Sequence, residues 1–211
     1  MDPLLLLSFL SASILLTLLP GPDILYVLTE SITKGAKTGR TIAFGLVSGV
    51  LIHTALAATG ISILIYQSDV VFNVVKYAGA AYLFYLAYQA TQELPIKINE
   101  ADISQNKVSN PDYHFRKLFQ KGFLMNVLNP KVSIFFIAFL PQFISPTGFT
   151  PMVQMLIMGV VFIVQAYLIF ALVASLSGQL SHFLQNEKIW NISKWIKTMV
   201  LFLIGLSLVV Y

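Results

Sequence analysis

The chain of 211 residues is 57% hydrophobic and only 10% charged, with a mean hydropathy of +0.79. So little polar material cannot coat a soluble domain of this length, which makes the chain an integral membrane protein. The lack of any cysteine excludes disulfides, thiolate metal sites, haem attachment and dithiol redox relays, and the formal charge of +4 is spread over short loops rather than gathered into a face that would bind nucleic acid.

Six segments are long and apolar enough to cross a bilayer, at residues 4–28, 41–66, 72–91, 119–140, 152–176 and 190–211. The reading is all-α: a polytopic membrane protein with six transmembrane helices in one domain, residues 1–211. The first segment starts Met1-Asp2, with no basic region before it and no small-residue cleavage site after it, so it is read as a retained helix rather than a signal peptide. Its continuity is broken at Leu19-Pro20-Gly21-Pro22-Asp23, where two prolines and a carboxylate fall inside the apolar run. Proline leaves an orphan carbonyl four residues back, and a charge near the bilayer centre costs about 3 kcal/mol. Both are tolerable only where the backbone is buried in protein or lines a wet cavity. Glu30 and Lys34 follow as an i, i+4 pair.

Segment two carries Gly45 and Gly49, a spacing that lets another helix approach closely, and then His53. His53 is read as hydrogen-bonding a neighbouring helix, with proton relay as the alternative. Segment three carries Tyr77, Tyr82, Tyr85, Tyr88 and Gln89; of the tyrosines, Tyr82 lies nearest the middle and is the candidate ligand contact. A polar link at about residues 93–115 separates the halves.

Segment four repeats the interruption of segment one as Leu128-Asn129-Pro130-Lys131. At each break Gly21 or Asn129 can take the N-cap, Pro22 or Pro130 the first helical position, and Asp23 or Lys131 the first turn. A half-helix start within the membrane exposes unpaired N–H groups and a positive dipole end, which suits a carboxylate. Asp23 agrees with that dipole. Lys131 does not, so it asks for a nearby anion, either Asp23 or a bound carboxylate.

Eleven of the thirteen basic residues fall after segments one, three and five, Lys188, Lys194 and Lys197 making up the last group. Those loops are therefore expected in the cytoplasm and both termini outside. Three spans per half then enter the membrane in opposite senses, an arrangement of inverted repeats, about 1–92 and 116–211, with broken helices one and four.

Pro20-Gly21-Pro22, then Gly35 and Gly39 with Gly45 and Gly49, Gly79 with Tyr82-Leu83, and Phe119-Gln-Lys-Gly122 leading to Asn126-Val-Leu-Asn129-Pro130-Lys131 resemble the lysine exporter and homoserine/threonine resistance (LysE/RhtB) family. The resemblance covers nearly the whole chain, and the Asn-Pro-Lys element is its most specific part. It implies a bacterial inner-membrane exporter of amino acids or close derivatives, driven by the proton gradient, with Pro20, Gly21, Asn129, Pro130 and Lys131 as the positions that carry over. In the mechanism this suggests, a zwitterion sits between the halves, its carboxylate near Lys131 and its ammonium near Asp23. The halves rock to alternate access, and a proton on Asp23 releases the ammonium. The small-molecule substrate, protons and the lipid bilayer are the expected partners; a homo-oligomer is left open, and no cofactor is expected. The alternatives are an exporter or channel for small inorganic ions, for which a lone Asp and His supply too few ligands, and an intramembrane enzyme, for which no catalytic motif is present.

Overall fold

The computed structural model describes residues 2–61, 69–94, 111–180 and 186–210, and helix is the only regular structure among them. In chain order the helices are α1 (Pro3–Leu18), α2 (Pro22–Lys34), α3 (Ala36–Leu56), α4 (Asp69–Thr91), α5 (Pro111–Val127), α6 (Pro130–Ile134), α7 (Pro151–Ser175) and α8 (Glu187–Val210). α3 runs on into a π-turn at Ala57–Ile61, and α6 into a π-turn at Phe135–Phe139 and a 3-10 turn at Leu140–Phe143. Four continuous runs, Ala36–Gly60, Val70–Thr91, Pro151–Ser175 and Glu187–Val210, are long and apolar enough to cross a membrane. The other two expected spans are bent pairs, α1 with α2 at 55° and Phe115–Val127 with Pro130–Phe143 at 50°. Counted as one span each, they complete the expected six.

Some boundaries differ from the sequence reading. α2 continues to Lys34, beyond the expected end at residue 28, and stops where Gly35 turns the chain into α3. Gly35 has a φ of 89°, a left-handed conformation that a side chain would strain. α5 begins at Pro111, inside the expected polar link, because a proline is well placed in a first helical turn. Residues 62–66 of the second expected span, and 95–110 of the link, lie outside the described residues.

α3 is the central helix and packs against α2, α5 and α7. Its close crossing with α5 rests on missing side chains. A methyl group at Gly45 would run into the Phe119 carbonyl, one at Gly49 into the Asn126 side chain, and one at Gly122 into the Ile42 carbonyl. Helix association in lipid lacks the hydrophobic drive available in water, so such backbone-to-backbone contact is where packing energy comes from. Gly45→Leu is therefore expected to abolish stable folding, read as loss of monodisperse protein on purification. Gly60→Ala, where a methyl would meet nothing within 4 Å, is the control expected to behave as the parent.

α4 and α8 pack along each other, with Gly205 of α8 against the Phe84 ring. The pair meets the rest of the bundle at the Phe135–Phe139 π-turn, where Gly79 of α4 faces Ala138. The turn feeds an aromatic cluster: Phe135 lies tilted at 5.9 Å from Phe9 and 5.7 Å from Phe162, and Phe136 lies 5.1 Å edge-on to Phe162. Phe9, Phe135 and Phe136 are fully buried. This cluster fills the half of the bundle that contains the start of α1, on the far side of the two breaks from the α2–α3 turn. Val160, Val164, Leu168 and Leu172 form the opposite case, an exposed stripe at four-residue spacing along α7 that suits contact with lipid.

Candidate functional site

Both breaks have the local chemistry that their residues dictate. Gly21 is the N-cap of α2 with Pro22 in its first turn, and Asn129 is the N-cap of α6 with Pro130 following. Asn129 Oδ1 accepts from the Lys131 backbone N–H at 3.0 Å, while its Nδ2 donates to Asp23 Oδ2 at 2.6 Å. One buried amide thus caps its own half-helix and binds the carboxylate of the other break. Its two ends cannot be exchanged, since only the oxygen accepts and only the nitrogen donates.

The carbonyls freed by Pro20 and Pro130 find partners from other elements. Pro20 removes the N–H that would bond Leu16, and Lys131 Nζ donates to the Leu16 carbonyl at 3.2 Å. Pro130 does the same to Asn126, whose carbonyl receives His53 Nε2 at 3.1 Å. It also receives the Asn129 N–H at 2.9 Å. The structure therefore places His53 against the backbone of α5, as expected of a helix-to-helix bond. Asp23 and Lys131 meet through shared surroundings rather than as an ion pair; among the described residues the ion pairs within 4 Å are Lys34–Glu30 and Lys197–Glu93.

Lys131 lies in the wall of two cavities. The smaller, about 20 Å³, is lined by Thr17, Asp23, Asn126 and Lys131 among apolar groups of α1, α3 and α7. That volume holds a water molecule and not an amino acid. Asp23 Oδ1 and Asn126 Oδ1 are both buried without a hydrogen-bond partner, and each lies on a side chain that lines this space. The α7 side of the α1 break is polar too, with Gln165 Nε2 donating to Thr17 Oγ1 at 3.0 Å.

The larger cavity, about 260 Å³, gathers Pro20, Gly21, Pro22, Asn129, Pro130 and Lys131 from the two breaks. Its opposite wall is Tyr82, Leu86, Gln89 and Glu93 along α4 and just beyond its end, with Lys197 and Leu201 of α8. The size lies near the low end of small-ligand pockets. Of the sequence candidates, the structure brings Pro20, Gly21, Pro22, Tyr82, Asn129, Pro130 and Lys131 to this cavity, leaves Asp23 on the small one, and sets His53 outside both. Tyr85 and Tyr88 are exposed.

Sequence reasoning missed Glu93 and Lys197. Lys197 Nζ donates to Glu93 Oε1, which ties α8 to the end of α4. The sequence reading counts Lys197 with the loop charges after segment five. The structure corrects that, placing it within α8 at 9% exposure. The available signal was a charge inside an expected span, with an opposite charge at the end of another. Lys131, Glu93 and Lys197 line one cavity and Asn129 joins Asp23 to it, so the breaks sit in a cluster of two acidic and two lysine side chains.

Helices broken at mid-span around a buried charge cluster and a ligand-sized cavity define a membrane transport protein. The chain belongs to the family of LysE type translocators, whose profile matches residues 14–211. It is a membrane translocator. It is 27% identical over 204 residues to the uncharacterized membrane protein YrhP of Bacillus subtilis, covering 96% of this chain and 97% of that one. It is 33% identical over 141 residues to a leucine efflux protein of Salmonella choleraesuis, covering 67% and 64% of the two chains. An uncharacterized membrane protein of Pseudomonas aeruginosa is 32% identical over 154 residues, 73% of this chain and 70% of its own. No solved structure matches the chain.

Proposed function

We propose that the protein exports amino acids or close derivatives from the cytoplasm across a bacterial inner membrane, by alternating access coupled to proton influx. The observation that carries this reading is the convergence of both helix breaks on the 260 Å³ cavity, with Lys131 in its wall. A carboxylate there answers a lysine and a half-helix start together. The name of the leucine efflux relative agrees with an amino acid as cargo.

The way the larger cavity runs agrees with loading from inside. The larger cavity extends from Tyr82, midway along α4, to Glu93 beyond its end, on the side of the basic loops. The opposite half is closed by the Phe9, Phe135, Phe136 and Phe162 cluster. With the basic loops in the cytoplasm, this is a form that loads from inside. The inverted-repeat reading has support in the pairing of equivalent helices, α3 with α7 and α4 with α8, and of the two breaks with each other. Asp23 is the proposed proton site, since its Oδ1 lies buried and unpartnered on a water-sized cavity beside Lys131.

Export is tested with labelled amino acids in cells with and without the protein; the expected result is loss of accumulated leucine-type substrates that an uncoupler blocks, and unchanged retention of every amino acid sinks the reading. Orientation is tested separately. In this cysteine-free chain, cysteines introduced at Ser8 and at Ser104, the latter outside the described residues, are expected to label from opposite sides. Labelling of both from one side would remove the inverted-repeat argument.

A further inference from the structure

We infer that the Glu93–Lys197 ion pair is the recognition element of the larger cavity: an incoming zwitterion exchanges into it, its ammonium taking Glu93 and its carboxylate taking Lys197 and Lys131. This rests on the export reading above and names the substrate class, an α-amino acid with an uncharged side chain. Three observations support it. The pair lines the same cavity as Lys131, at the end where the cavity reaches the basic-loop side. Lys197 is buried while the Glu93 side chain keeps 36% exposure, so the carboxylate is the accessible partner of the two. Finally, a bond between the two side chains leaves each with the single partner that a zwitterion could replace, so no charge is stranded when the substrate binds.

The charge inventory sets selectivity. The cavity wall carries two lysines and one glutamate, and the other carboxylate of the cluster, Asp23, is held by Asn129 and faces the smaller cavity. A zwitterion answers Glu93 with its ammonium and the two lysines with its carboxylate, and adds no net charge to the wall. A basic amino acid brings a further cation to a wall with no carboxylate left to receive it, which a low-dielectric site penalises strongly. A carboxylic acid without an amino group leaves Glu93 unpaired. Leu86, Leu201, Pro20, Pro22 and Pro130 supply the apolar surface for the side chain.

The test is counterflow of labelled leucine in proteoliposomes containing the full chain, with leucine, 4-methylpentanoate and lysine as competitors, alongside thermal unfolding of each purified variant. Leucine is expected to compete, and the other two to compete about 10- to 100-fold more weakly, the worth of one charge-assisted hydrogen bond. Glu93→Gln is expected to lose affinity for leucine by that factor and to bind 4-methylpentanoate no more weakly than the parent does, erasing the preference for the amino group. The double variant Glu93→Gln with Lys197→Met strands no charge. If the pair only ties α4 to α8, it regains leucine transport; if the pair receives substrate, it remains folded and defective. Parent protein that carries no amino acid overturns both this inference and the export reading. Parent protein that carries leucine but admits lysine equally, or a double variant that transports normally, overturns this inference alone.

Discussion

Replacing Lys131 by Met is expected to abolish export while the protein remains inserted. Removing the charge lowers the insertion cost, by about 3 kcal/mol on insertion scales, so loss of function cannot be ascribed to failure to enter the membrane. The Lys131 ammonium is committed to the Leu16 carbonyl at 3.2 Å and lies on both cavities, where it is the group best placed to receive a carboxylate. Truncating one partner of a buried, hydrogen-bonded charge pair costs about 2–5 kcal/mol, so transport is expected to fall on the order of 30-fold or more. A purely structural role makes a different forecast. If Lys131 only balances Asp23, then Asp23→Asn combined with Lys131→Met should restore much of the activity that each change removes alone. Normal export by Lys131→Met refutes both roles, and the measurement is efflux of labelled amino acid at matched protein levels in the membrane.

The parts of this site that the sequence makes legible are those governed by short-range backbone chemistry. Proline cannot donate, glycine and asparagine cap helices, and a charge in an apolar run needs company; from these rules come the N-caps at Gly21 and Asn129 and the need to pair the breaks. The orphan carbonyls of Leu16 and Asn126 are legible on the same ground. Their partners are not: Lys131 and His53 arrive from other helices, and nothing local to either residue says which carbonyl it will meet. Glu93 and Lys197 were obscured for a different reason. Each lies near an end of an apolar run, where charge ordinarily means solvent, and only the close pairing of α4 with α8 turns two end charges into one wall of a cavity. The π-turn at Phe135–Phe139 left no signal either, since an apolar run reads alike as an α-helix or a widened turn; its effect is to bring Phe135, Phe136 and Phe139 into the core.

Asn129 is the residue on which the geometry of both breaks depends, and graded substitutions are expected to separate its two roles. Asn129→Ser keeps an N-cap acceptor but cannot span the distance to Asp23, so it should lose the bond to the carboxylate, worth about 1.5–3 kcal/mol. Asn129→Ala loses that bond and the cap as well, a further contribution of about 0.5–2 kcal/mol. Thermal unfolding in detergent should therefore rank parent above serine above alanine, with a separation between the extremes on the order of 10 °C for a chain of this size. Export should fall with the serine variant already, because the Asp23 carboxylate is then unheld beside Lys131. The stability part is checked by pairing Asn129→Ser with Asp23→Leu. Removing both partners of a buried hydrogen bond costs little compared with stranding one, so the double variant should recover most of the lost melting temperature, and none of the transport. Equal melting temperatures for the serine and alanine variants would show that Asn129 contributes no cap. A double variant less stable than Asn129→Ser alone would show that Asp23 is held by something other than the amide, and the two breaks would then lose the bond that joins them.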